Sequence, residues 1–109
     1  MPHCIIEHSS TLVAADLLAA VYQGAVKSQL FDHKDIKSRA MAYEQHHSGD
    51  GITSFVHVAV KILSGRDIEQ KNQLSNAVLQ ELVALNFSDT SLTVEILDIE
   101  KASYAKSIV

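Results

Sequence analysis

The strongest constraint on the fold is the order in which two hydrophobic periods follow one another. From Phe55 to Ile62 the pattern alternates, with Val56, Val58, Val60 and Ile62 on one side and Phe55, His57, Ala59 and Lys61 on the other. That period of two is a strand. Ser64-Gly65-Arg66-Asp67 follows, a Ser-x-x-Asp of the capping-box type. It predicts a helix running to about Leu85. Ile68, Leu74, Ala77, Val78, Leu82 and Leu85 form its buried stripe. After Asn86–Thr90 the period returns to two, from Ser91 to Ile99, with Leu92, Val94 and Ile96 set against Thr93, Glu95 and Leu97. The second half of the chain therefore reads β-α-β.

The first half repeats that order. Pro2–His8 is rich in β-formers, and Ser9-Ser10-Thr11 behind it suits a helix N-cap. Leu12 to about Leu30 predicts a helix, with Val13, Leu17, Ala20, Val21 and Ala25 at helical steps and Gly24 marking close packing. Asp32–Asp35 breaks it. Ile36–Tyr43 alternates, with Ser38, Ala40 and Ala42 on one side and Lys37, Arg39, Met41 and Tyr43 on the other. His46–Gly51 is a turn by composition, and 101–109 carries no strong pattern.

Crossovers of this length make each β-α-β pair parallel and right-handed. The expected fold class is α/β (α+β): two βαβ units forming one four-stranded sheet with both helices on one face. The 109 residues form a single domain, 1–109. The opposite face would carry Lys37, Arg39, Met41, Tyr43, Phe55, His57, Ala59 and Leu97. That mixture is too apolar for water, and no chain is left to cover it, so a partner subunit is expected there.

Composition narrows the function. Net charge is -4, and the only arginines are Arg39 and Arg66 among scattered lysines. A nucleic-acid partner is not expected from this balance. No apolar run reaches the roughly 18 residues of a membrane span. The single Cys4 cannot form an internal disulfide, and the N-terminus lacks a basic leader. A cytoplasmic protein is the expectation. His46-His47 are adjacent in a loop and no Cys or carboxylate spacing completes a set of ligands, so no metal is expected. No cofactor is implied. Cys4 reads as a small buried hydrophobe.

Three blocks carry a family resemblance: Met1-Pro2-His3-Cys4-Ile5-Ile6-Glu7, Ile36-Lys37-Ser38-Arg39, and Phe55-Val56-His57-Val58-Ala59-Val60-Lys61-Ile62-Leu63-Ser64-Gly65-Arg66. Together they resemble the 5-carboxymethyl-2-hydroxymuconate delta-isomerase family of the tautomerase superfamily, to about Ile99. The resemblance implies a homotrimer whose catalytic group is the secondary amine of an N-terminal proline, here Pro2 once Met1 is removed. It implies basic residues that hold a small carboxylated substrate. Arg66 and Arg39 match family positions, and Lys37 stands where the family has arginine, which keeps the charge and loses the planar fork. The expected activity is isomerisation of a small unsaturated 2-hydroxy or 2-oxo acid, with Pro2 as general acid/base and Lys37, Arg39 and Arg66 binding substrate. The alternative class is a non-catalytic trimeric ligand-binding or interaction protein on the same fold.

Overall fold

The computed structural model describes residues 1–109. In chain order they form β1 (His3–Ser9), α1 (Ala14–Lys27), β2 (Lys37–Tyr43), β3 (Ser54–Leu63), α2 (Ile68–Val83) and β4 (Thr90–Ile99). Short 3-10 turns occupy His33–Asp35 and Lys101–Ser103. Both β-α-β units are present. The strand order is β2-β1-β3-β4. β1 and β2 are parallel, as are β3 and β4, and the two halves meet along the antiparallel pair β1–β3.

One parity of each strand feeds the core. Cys4, Ile6, Val56, Val58, Val60 and Ile62 pack with Leu17 and Val21 of α1 and with Leu74, Val78 and Leu82 of α2. Successive strand side chains point to opposite faces, so both helices cover the same face. Each Leu or Val buried there contributes about 1.5–3 kcal/mol. The helices touch where Gly24 removes a side chain: a Cβ on it would lie 2.5 Å from the Cα of Val78. No helix is long and apolar enough to cross a membrane.

The helix boundaries differ from those expected. Val13, not the Ser9–Thr11 cluster, is the N-cap of α1, and it makes no side-chain cap. Ser9 is drawn into the sheet, where its hydroxyl accepts from the Phe55 amide at 2.8 Å. α1 stops at Lys27, and Gln29 behind it has φ 59°. Its left-handed backbone turns the chain off the helical path before Leu30. Val13 is 60% exposed and Ile68 68% exposed, so the first residue of each predicted stripe lies outside the core. The capping box at α2 is Asp67 with Gln70, three residues beyond the expected Ser64.

The face without helices carries the residues expected there. Met41 is 60% and Leu97 39% exposed. The polar groups between them are matched within the chain. Tyr43 donates to Glu7 at 2.5 Å, and His57 bridges Thr93, at 2.7 Å, and Glu95.

Candidate active site

Pro2 lies just ahead of β1 with its side chain fully buried. Its carbonyl accepts from the Lys37 amide at 3.1 Å, which extends the parallel ladder by one bond beyond the pair His3–Lys37. Proline has no N–H, so the first position of a strand suits it. The Met1 amine donates to the carbonyl of Asp35 at 3.3 Å. The Lys37 ammonium donates to the same carbonyl at 3.3 Å. Burial holds the terminal amine below its ordinary value, and the charges of Lys37 and Lys106 add to this against the opposing charge of Asp35.

Lys37 and Arg39 share the helix-free face of β2. An Arg39 Nη is 3.4 Å from His3 Nδ1, and His3 Nε2 is 3.0 Å from the Tyr104 hydroxyl. Burial, followed by Arg39, the chain's amino terminus, Lys37 and Lys61, holds the His3 imidazole below its usual range.

Arg66 stands apart from that group. It precedes the Asp67 N-cap, so it lies outside α2, because the cap of that helix is Asp67 and not Ser64. Its guanidinium donates to the Leu30 carbonyl at 2.7 Å and sits 5.7 Å from the centre of the Phe31 ring. Register puts Arg66 at the same end of the sheet as Pro2, because Lys61 of β3 faces His3 of β1. The helix dipole has less hold at that position than it would in the first turn.

This end gathers unpaired cations, with the carboxylates of Asp35, Asp67 and Glu100 interspersed. The ion pairs with lysine are Lys27–Glu81, Lys34–Asp32 and Lys71–Asp98. Lys37, Arg39, Lys61, Arg66, Lys101 and Lys106 have no carboxylate partner, and all lie at the Pro2 end. Strand register and the Lys101 amide's bond to Ser64 fix the first five; the charge of Lys106 acts on the terminal amine. A chain of net charge -4 thus gathers these unpaired cations at the Pro2 end of its sheet. Such an end attracts small anions.

Residues beyond the candidates also belong to this end. His3 appears in the sequence only as part of a strand. Tyr104 and Lys106 belong to the unpatterned tail. Their signal is tertiary: the tail crosses the end of β3, anchored by the Lys101 amide on Ser64 Oγ at 3.3 Å. A different feature marks the far end of the sheet, where His46, His47, Ile52, Ser54, Phe55 and Ser91 line a depression of about 260 Å³. His46 sets its edge on Phe55, ring centres 4.9 Å apart. No depression of that size encloses Pro2 within one subunit.

The family model of 5-carboxymethyl-2-hydroxymuconate isomerase matches residues 2–107. A search of curated proteins found no match. A 5-carboxymethyl-2-hydroxymuconate isomerase from Deinococcus radiodurans R1 superposes with TM-score 0.80 at 22% identity, covering 97% of this chain and 88% of that one. A fused 4-OT symmetric trimer superposes with TM-score 0.76 at 19% identity over 96% of this chain and 91% of that one. A macrophage migration inhibitory factor-like protein from Entamoeba histolytica gives TM-score 0.74 at 11% identity, covering 97% and 95%.

Proposed function

The chain belongs to the 5-carboxymethyl-2-hydroxymuconate isomerase family, and from that premise we propose that it moves a proton on a small unsaturated 2-hydroxy or 2-oxo carboxylic acid, with the amine of Pro2 as the base. The observation that carries this reading is a partly desolvated chain-terminal amine beside Lys37 and Lys106, at an end of the sheet where Arg39, Lys61, Arg66 and Lys101 also have no carboxylate partner. A terminal amine ordinarily titrates near 8. Burial and nearby positive charge both disfavour its protonated form. With Met1 removed, the nitrogen of Pro2 takes over as terminus beside Lys37, and the same two causes act on it. A base that is free near neutral pH can take a proton from one carbon and return it to another.

Lys37, Arg39 and Arg66 supply the charge that holds the substrate's carboxylates. Positive charge there also favours the negative charge that develops on the substrate oxygen as the proton leaves. The rigid strand start fixes where the amine points, so little reorganisation is needed during the transfer.

We further propose a homotrimer assembled through the helix-free face. Fused 4-OT relatives of this fold are trimers. The apolar residues Met41, Phe55 and Leu97 lie there beside the internally matched pairs Tyr43–Glu7 and His57–Thr93. A neighbouring subunit would then border the open surface at the Pro2 end of that face.

The test follows isomerisation by ultraviolet absorbance for two forms of the protein, one with Met1 removed and one with an extended N-terminus. The processed form is expected to turn over a 2-hydroxydienoate or arylpyruvate-type acid, and the extended form to be inactive. Equal rates would remove Pro2 as the base.

A further inference from the structure

His57 lies on an inner strand of the helix-free face, with a carboxylate on either side. Glu7 of β1 stands opposite it in the antiparallel register. Glu95 of β4 meets its Nε2. Glu7 already accepts from the Tyr43 hydroxyl at 2.5 Å, so Glu95 is the carboxylate that depends on His57. The imidazole can hold it in either charge state, because Thr93 has two places for its one hydroxyl proton. Thr93 Oγ1 lies 2.7 Å from His57 Nδ1 and 3.4 Å from the Val56 carbonyl oxygen. With His57 neutral, Nε2–H donates to Glu95 and Thr93 donates to Nδ1. With His57 protonated, Nδ1–H donates to the Thr93 oxygen and the hydroxyl turns to the Val56 carbonyl. Neither state leaves an orphaned donor or acceptor. In one chain both side chains are still wet, His57 31% and Glu95 47% exposed.

We infer that self-association through this face is coupled to proton uptake, the His57–Glu95 pair holding one additional proton per subunit once a second copy of the chain covers it. This rests on the trimer reading above. The exposed apolar side chains that favour such a cover lie on the same face: Met41 is in register with Glu7, and Leu97 is two residues from Glu95. Cover removes water from Glu95. A carboxylate buried without a counter-charge is strongly disfavoured, whereas a hydrogen-bonded ion pair or a neutral pair is tolerated far better. Imidazolium with carboxylate and imidazole with carboxylic acid each need the same one proton. The linkage therefore has a definite sign. Where the pair is protonated in the free subunit, association takes up nothing. Where it is not, association must draw a proton from solvent and weakens as pH rises. The contact between subunits is strongest on the acid side and loosens between about pH 6 and 8, the range in which an imidazole sheds its proton. Glu7 and Glu95 are the ionisable groups that face His57. Its same-face neighbours on β3 are Phe55 and Ala59, and both helices pack on the other side of the sheet.

The experiment follows dissociation of the full chain by sedimentation equilibrium between about pH 6 and 8, with the same sub-denaturing urea at each pH to bring the transition into the measurable range. The wild-type trimer constant is expected to weaken by up to about a thousandfold per pH unit, tenfold for each of three protons. His3 and the amino terminus titrate at the other end of the face, so the informative quantity is the difference between wild type and His57→Gln. Glutamine keeps the bond to Glu95 through its NH2 and accepts from Thr93 through its oxygen, but it takes up no proton. His57→Gln should remove most of the pH dependence. Glu95→Gln should remove it as well, because a carboxamide needs no counter-charge. Calorimetric dilution in buffers of unequal ionisation heat counts the protons directly. A wild-type trimer whose constant does not move with pH overturns the linkage and leaves the trimer standing, and so does the wild-type slope in either variant. A protein that is monomeric at every pH removes the trimer reading and the linkage together.

Discussion

Gly24 of α1 and Val78 of α2 meet backbone to backbone. A Cβ at Gly24 would approach the Val78 Cα to 2.5 Å, its nitrogen to 2.9 Å and the Ala77 carbonyl oxygen to 3.0 Å. None of those atoms is the end of a flexible side chain. Gly24→Ala is expected to destabilise the fold by about 1–3 kcal/mol through overpacking, against a gain of up to about 1 kcal/mol in helix propensity. Urea denaturation checks the sign: a lower midpoint is expected, whereas Ala in an exposed helix would raise it.

Arg66→Ala has two expected effects. The lost bond to the Leu30 carbonyl and the lost contact with Phe31 lower stability by about 1.5–3 kcal/mol, the range for a hydrogen bond to a charged group. Affinity for a dicarboxylate falls as well, by a similar amount. Thermal unfolding and calorimetric titration measure the two separately. Full carboxylate affinity in a destabilised protein would make Arg66 a strut for the Leu30–Phe31 loop alone.

His3 is expected to titrate below the ordinary 6.5 of a histidine, because burial and the charge of Arg39 disfavour its protonated form. The sign for stability follows. The unfolded chain binds the proton first as pH falls, so this group costs stability on going from about 6.5 down to its folded value, and contributes no pH dependence above that window. Imidazole proton shifts followed by NMR give the midpoint. Arg39→Ala should raise it.

Cys4 should be inert in the folded protein. Its side chain is wholly buried, and burial raises the thiol to about 11, against smaller opposing effects of Ser38 and Arg39. The thiolate is the reactive form. Labelling by a thiol reagent should therefore proceed at the rate of unfolding and accelerate in urea. Rapid labelling without denaturant would show that the edge formed by β1 and β2 opens.

The sheet was legible in the sequence because alternation reports burial directly. Val56, Val58, Val60 and Ile62 are the core, and the same parity on β1 and β4 sets the packed face. Helix ends were less legible. Ser9, Ser10 and Thr11 have the chemistry of caps, but a competing use of Ser9 in the sheet took precedence. Of two acidic or hydroxyl residues three apart, only Asp67 had a glutamine at the position a capping box needs. That three-residue shift moved Arg66 out of the helix. Pro2, Lys37 and Arg39 could be placed near one another from strand pairing. His3 with Tyr104 could not, because 101 positions separate them and neither local period nor propensity records a chain's return to its own beginning.

The antiparallel junction of β1 and β3 has a further consequence for topology. It relates the two β-α-β halves by an approximate twofold axis through the sheet: the Ser10 amide bonds the last residue of β2, Tyr43, and the Ser64 amide bonds the last residue of β4, Ile99. The counterpart of the Pro2 position is then the start of β3, where Thr53 and Ser54 sit beside the histidine-lined depression. The architecture thus offers two seats for a chain terminus, and connectivity fills one of them. A circular permutant opened in the Ser48–Gly51 turn, with a linker joining the present ends, would keep the sheet and move the free amine to the opposite rim.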